Sequence, residues 1–273
     1  MITTTLRTHY VFGIIKSRRL GNSLGINILP IEKKICSFNC IYCECGWNSK
    51  EVNENISQDL LTFPAKEIIH SELEIALTEI IKHSKPIDVI TFSGNGEPTL
   101  HPQFSEIINE TIYLRNKYLP KTQIAVLSNS TNLHKEEIIN SLKQIDKPIL
   151  KLDSTNINTF EKINLFKINN NKKNESSVIS IKKIIEGMKS FEGNFIFQIM
   201  FLRGSIGDEV VDNTTNLEIA GLINAIKETS PKQVMIYSID RIPPAKNLIK
   251  LSNDEMKKIA MLIKNNGINV LYV

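Results

Sequence analysis

All four cysteines of the chain, Cys36, Cys40, Cys43 and Cys45, fall in one stretch, Lys34-Ile-Cys-Ser-Phe-Asn-Cys-Ile-Tyr-Cys-Glu-Cys-Gly46. The first three are spaced C-x3-C-x2-C, with Tyr42 just before the third. Thiolates are the usual ligands of iron–sulfur clusters, and a cubane is normally closed by four. Three close thiolates with no complete second set leave one iron without a protein ligand. By the logic of an open catalytic zinc, such a position is where a small molecule binds. The competing reading is structural zinc with Cys45 as a fourth ligand. Zinc takes four N or S ligands, usually as two separated pairs. Here Cys43 and Cys45 are only two apart, and the nearest histidines are His9 and His70. Cysteines confined to ten residues cannot staple a fold, so they point to a metal site in a reducing compartment.

A second stretch, Ser93-Gly-Asn-Gly-Glu-Pro98, has glycines that let backbone approach a ligand and a carboxylate, Glu97, that can accept from an ammonium. Alone it is also ordinary turn composition. Together, the cysteine spacing with its aromatic and this loop about fifty residues later resemble the radical S-adenosylmethionine (SAM) superfamily. The resemblance implies a 4Fe–4S cluster on Cys36, Cys40 and Cys43, whose open iron chelates the amino and carboxylate groups of SAM. One electron then cleaves the sulfonium and gives a 5′-deoxyadenosyl radical. It also implies that the backbone of Gly94, Asn95, Gly96 and Glu97 binds the amino group of SAM; Asn95 stands where the family often has glycine. Asn129 and Asp153 resemble polar residues that contact the ribose or carboxylate of SAM, though each could equally cap a helix. Tyr42 would meet the adenine or pack the cluster loop. Arg203 would pair with the SAM carboxylate or with a neighbouring acid. Arg18 and Arg19 are a cationic pair suited to an anion, or simply solvated. His101 reads as structural.

The elements that must position these residues follow from periodicity. Leu24–Pro30 reads as a short strand stopped by proline, after an irregular lead-in over residues 1–23. From Pro64 to His83, Ile68, Ile69, Leu73, Ala76, Leu77, Ile80 and Ile81 recur at helical steps. Strands are predicted at 87–92, 123–128, 148–153, 194–201 and 233–238, with helices at 103–118, 134–143, 178–190, 215–229 and 252–265. The last helix opens on a capping box, Ser252 with Glu255. Residues 154–177, including the polar run Lys167–Ser177, read as a surface loop, and 268–273 as a last strand. Six β–α units predict an α/β fold with a parallel sheet. Right-handed crossovers put every loop after a strand on one face, which gathers both motifs with Asn129, Asp153, Arg203 and Arg241 at one mouth. The resemblance makes this a partial (β/α)6 barrel of radical SAM type over residues 24–245, with the cluster loop at 31–46. Residues 246–273 add a C-terminal helix and strand to the same single domain.

Composition narrows the partners. A hydrophobic fraction of 41% and a charged fraction of 23% are those of a globular chain that buries a core without staples. The N-terminus shows no apolar core of a signal peptide and the chain no membrane-spanning run, so a cytoplasmic location is expected. A net charge of +4, from 33 basic and 29 acidic residues, permits a polyanionic substrate without demanding one. The runs Ser17-Arg-Arg-Leu-Gly, Gly96-Glu-Pro-Thr-Leu-His-Pro102, Lys151-Leu-Asp153 and Asp240-Arg-Ile-Pro-Pro244 resemble a bacterial group related to the wyosine-type tRNA synthetases. That implies tRNA as a candidate substrate and flavodoxin or ferredoxin as electron donor. The wyosine enzymes carry an additional cluster on upstream cysteines, and here no cysteine precedes Cys36 or follows Cys45. A small molecule or peptide therefore remains an alternative substrate, and a non-catalytic zinc or iron–sulfur module an alternative class.

Overall fold

The computed structural model describes residues 6–48, 62–166 and 180–273. Eight strands form one sheet. The antiparallel pair β1 (Val11–Ser17) and β2 (Gly21–Ile26) leads into β3 (Val89–Phe92), β4 (Gln123–Ser128), β5 (Lys147–Lys151), β6 (Ile196–Phe201), then β9 (Gln233–Ser238) and β11 (Val270–Tyr272), in that spatial order. Every pairing from β2 to β11 is parallel. β1 and β11 are not paired with each other, so the curled sheet is an open half-barrel. Between the strands run α1 (Lys66–Lys82), α2 (Phe104–Tyr118), α3 (Glu136–Lys143), α4 (Ile157–Asn164), α5 (Ile181–Lys189), α6 (Asn216–Thr229) and α7 (Asn253–Lys264).

The strands read as continuous apolar runs because both faces of the sheet are covered. Alternate residues divide between two cores. Ile90, Phe92, Ile124, Val126, Phe197, Val234 and Ile236 pack with the helices, through Leu73 and Leu77 of α1 among others. Val89, Ala125, Ile149, Ile196 and Met235 turn the other way and close with Leu20 over the concave face. On α1 only Ile69, Leu73, Leu77 and Ile80 are buried; Ile68 and Ile81 flank that stripe and are exposed.

The structure corrects the sequence reading in three places. Residues 11–26 are a hairpin, not a lead-in, and β2 begins at Gly21 and ends at Ile26. Its turn is built by Ser17, whose Oγ accepts from the backbone N–H of Arg19 and Leu20, and by Gly21 at φ +77°. Beyond Ile26 the strand stops because the Asn27 side chain bonds to Leu29 instead, accepting from its N–H and donating to its carbonyl. Second, residues 157–164 form α4, capped by Asn156, whose side chain accepts from the N–H of Asn158 and Thr159. The run Lys167–Ser177 lies outside the described residues. Third, a three-stranded sheet of β7 (Arg203–Ile206), β8 (Glu209–Asp212) and β10 (Asn247–Ile249) stands where no strand was expected. Its Gly207-Asp208 turn, with Gly207 at φ +55°, is a recognisable two-residue hairpin signal. The capping box of α7 forms as expected, and β11 extends the main sheet beside β9.

Candidate functional site

The cysteine loop leaves the end of β2 and is fixed from three sides. A parallel bridge joins Ile35 to Gly96, with Ile35 N–H donating to the Asn95 carbonyl at 2.8 Å and Glu97 N–H to the Ile35 carbonyl at 3.0 Å. The end of α4 accepts the N–H of Asn39 and Ile41 on the carbonyls of Asn164 and Ile163. Phe38 packs edge-on against Phe160 and Phe166, each with ring centroids 5.5 Å away. Two successive turns, Cys43 N–H to Cys40 carbonyl and Gly46 N–H to Cys43 carbonyl, fold the cysteine run back on itself. Helix α4, which periodicity did not reveal, is thus one of the seats of the loop.

All four cysteines are free thiols. The Cys40 thiol donates to Asn164 Oδ1 at 3.2 Å and the Cys45 thiol to the Gly94 carbonyl at 3.0 Å. Cys36 Sγ accepts from Asn129 Nδ2 at 3.4 Å. Burial pushes the Cys36 thiol up to about 12 against the pull of Lys34. Burial, followed by the charges of Cys36 and Cys43, raises Cys40 as well. Cys43 is held below its ordinary value, chiefly by the neighbouring Cys45 side chain, and Cys45 is raised by Cys43 and by burial. The one cation among them is Lys34, buried, with Nζ donating to the Gly46 carbonyl at 2.9 Å. Burial works against its charge, yet the thiolates of Cys43, Cys36 and Cys40 outweigh that and raise its pKa.

This donor set fits an iron–sulfur cluster. Three unbridged thiols on one loop, two of them pushed toward the neutral form by burial, share a single ammonium; ligated iron would supply the charge their thiolates require. Among the described residues no three His, Cys, Asp or Glu side chains converge as ligands of a single ion. A cubane asks for less convergence, because its thiolates bind separate irons.

The loop from Gly94 to Glu97 is held backbone-to-backbone against the cysteines. A Cβ on Gly96, at φ +140°, would lie 1.7 Å from the Ile35 carbonyl oxygen, and one on Gly94 would lie 2.3 Å from Asn27 Oδ1. Asn95 is fully buried. Its side chain accepts from Arg7 N–H at 2.7 Å and donates to the carbonyls of Arg7 and Pro30, each at 2.9 Å. Glu97 is a buried clamp whose carboxylate accepts from Thr99 N–H and Oγ1, Ser128 Oγ and Asn129 N–H. Burial raises its pKa against those four bonds. Asn129 in turn donates to Cys36 and, at 2.9 Å, to Ser37 Oγ. Cys36, Glu97 and Asn129 are therefore one connected unit.

Tyr42 and Asp153 form a second unit. The buried Tyr42 hydroxyl donates to Asp153 Oδ2 at 2.6 Å. Asp153 Oδ1 pairs with Lys151 Nζ at 2.9 Å and accepts from Met200 N–H at 2.8 Å. Lys151 also donates to the Tyr237 hydroxyl at 2.9 Å. Burial opposes its charge, but Asp153 and Tyr237 together outweigh it and its pKa rises to about 12. Arg203 joins neither unit. It pairs with Glu255, the capping-box acid of α7, and lines a separate surface cleft with Asp212 and Asn247. Arg18 pairs with Asp240 at 3.1 Å, and Arg241 with Glu44 of the cysteine loop at 2.7 Å. His101 is buried on the Pro64 carbonyl, in keeping with a structural role. Lys34, Asn27 and Lys151 were not singled out as site residues from sequence. The available signal for Lys34 was only a cation two residues before the first cysteine.

A cleft of about 360 Å³ opens between the β1–β2 hairpin and the two loops, lined by Cys45, Glu44, Gly94, Arg7, Arg18 and Arg19 among others.

The sequence model of the radical SAM superfamily matches residues 33–214. A UPF0026 protein of Helicobacter pylori is 31% identical over 258 residues, which is 93% of this chain and 73% of that protein. A GTPase Obg of Brachyspira hyodysenteriae is 30% identical over 96% of this chain, which spans only 34% of that longer protein. Among solved structures, a radical SAM methyltransferase from Sphaerobacter thermophilus superposes with a TM-score of 0.63 at 13% identity, over 92% of this chain and 66% of that one. At that identity the likeness is one of fold.

Proposed function

The chain belongs to the radical SAM superfamily and to the group of UPF0026 proteins, and on that premise we propose that it is a radical SAM enzyme with its cluster on Cys36, Cys40 and Cys43. The observation that carries this reading is the union of the two motifs. Three free thiols on one loop are locked to the Gly94–Glu97 loop by the Ile35–Gly96 bridge. When bound, the cluster would supply the electron that splits the SAM sulfonium, giving methionine and the 5′-deoxyadenosyl radical that takes hydrogen from substrate.

The chain's own residues prepare that chemistry. Lys34 offsets thiolate charge. Glu97 fixes the Gly94–Glu97 loop to the end of β4 and so holds Asn129 against Cys36. Asp153, engaged by Tyr42 and Lys151, sets the Tyr42 ring beside the cysteines. Arg203, taken up by Glu255, serves the fold rather than the SAM carboxylate. The sequence resemblance favours tRNA as substrate and flavodoxin or ferredoxin as donor; a small molecule or peptide is the alternative substrate class.

The test is anaerobic reconstitution with iron and sulfide, followed by assay of 5′-deoxyadenosine from SAM and dithionite. About four irons per chain with 5′-deoxyadenosine formation, both lost in Cys40→Ala, is the expected outcome. Full retention in Cys40→Ala, or zinc as the native metal with no reconstitution, would overturn the assignment.

A further inference from the structure

We infer that the cleft beneath the β1–β2 hairpin binds a substrate through a phosphate ester. This names a substrate class for the site proposed above and rests on that reading for the reaction, though not for the binding. Five cations line the cleft, Arg7, Lys16, Arg18, Arg19 and Arg241, against two acids, Glu44 and Asp240. Both acids are already engaged, Asp240 by Arg18 at 3.1 Å and Glu44 by Arg241 at 2.7 Å. Among the described residues, Arg7 and Arg19 have no carboxylate partner. Each is held instead on an aromatic face, Arg7 over Phe12 and Arg19 over Tyr237, both with Cζ 4.4 Å from the ring centroid. Stacking fixes the plane of a guanidinium and leaves its in-plane N–H groups free.

The charge is of the wrong sign for SAM itself. SAM carries an ammonium, a carboxylate and a sulfonium, a net positive charge, so unpaired arginines would repel it. They serve a different ligand. Each fixed guanidinium fork can donate two parallel hydrogen bonds to a phosphate group, whose dianion adds a charge and an oxygen beyond what a carboxylate offers. Beneath them the cleft mixes polar side chains, Ser23, Thr91 and Gln198, with apolar ones, Leu20, Leu127 and Met235, and Ser23 Oγ donates to Thr91 Oγ1 at 2.7 Å. The hairpin that carries Arg18 and Arg19 is hydrogen-bonded to the barrel edge through β2 and β3, and Arg7, ahead of β1, is tied through its backbone to the Asn95 side chain.

The experiment is calorimetric titration of the full chain with ribose 5-phosphate, with ribose, and with tRNA, at low and high salt. Ribose 5-phosphate is expected to bind at least about tenfold tighter than ribose, with the advantage falling as salt rises. Arg7→Gln and Arg19→Gln, at unchanged urea midpoints, should each remove about tenfold. Arg19→Lys, which keeps charge but not the fork, should fall between. If tRNA binds with the same Arg19 dependence and ribose 5-phosphate does not, the phosphate is that of a nucleic acid backbone and the inference holds. Equal binding of ribose and ribose 5-phosphate, with tRNA indifferent to Arg19→Gln, would overturn it. Wild-type protein that binds ribose 5-phosphate but takes up no cluster would sink the radical SAM reading and leave this one standing.

Discussion

At the scale of single residues, what the sequence reveals depends on how local the chemistry is. The cysteine motif was legible because its C-x3-C-x2-C spacing lies within eight residues of chain. The partner of Tyr42 was not, because Asp153 is 111 residues away and no periodicity links them. Glu97 shows the intermediate case. Its place in the motif was readable, but its role as a four-bond clamp on Thr99, Ser128 and Asn129 needed coordinates. His101 carries a prediction at this scale. Gln103 N–H donates to its Nδ1 at 3.0 Å, so the ring proton is on Nε2, 2.9 Å from the Pro64 carbonyl. Burial holds its pKa below 6.5, against the opposing pull of the Pro64 carbonyl and Glu106. The unfolded chain therefore takes up a proton more readily than the folded one. The stability His101 provides is complete above pH 6.5 and is lost as pH falls toward its depressed folded value. Urea midpoints of wild type and His101→Gln, measured from about pH 7.5 to pH 5, should converge on acidification. A difference that stays constant over that range would show that His101 is not held neutral by burial.

At the scale of elements, clean periodicity was the deciding factor. The strand Gln123–Ser128 matches its expected bounds, and the helices α1, α2 and α7 fall within two residues of theirs, because each is an apolar pattern bounded by turn residues. β1 escaped because Gly13 and the edge position break its alternation, and α4 because only a few of its eight residues, Phe160 and Ile163 among them, face the core. These unread elements matter to function, since the hairpin roofs the cleft and α4 seats the cysteine loop. The tightest junction between elements is Gly96. Its backbone at φ +140° is one that side chains rarely adopt, and the obstacle to a Cβ is the Ile35 backbone itself, which no rotamer change removes. Gly96→Ala should cost about 3 kcal/mol or more in urea denaturation of the metal-free protein, and should lower iron uptake on reconstitution by displacing the cysteine loop. Gly13→Ala, where a Cβ meets nothing within 4 Å, should change stability by less than about 1 kcal/mol. If the two variants unfold alike, the bridge is not what holds the loops together.

At the scale of the whole molecule, the open half-barrel depends on what closes its last edge. The sequence read the C-terminal helix and strand correctly as elements, yet their place in the sheet was beyond it, because pairing between distant strands leaves no mark on local pattern. β11 covers the edge of β9 along Val234, Met235 and Ile236, and Leu271 adds to the inner core. α7 buries Met256, Ile259, Ala260 and Ile263, and β10 completes the second sheet on β7. Removing residues 246–273 would expose an apolar edge strand and part of both cores at once, a combination that leads to aggregation rather than local fraying. The full chain should therefore unfold as one unit. Its single tryptophan, Trp47, stands at the end of the cysteine loop, so fluorescence reports on the site while circular dichroism reports on the whole. Coincident urea transitions by the two probes are expected for the full chain, and a fragment ending at Ala245 should be insoluble or unfold without cooperativity. A soluble fragment with the same sharp transition would mean that the barrel stands without its last strand, and that residues 246–273 are an addition to a finished fold.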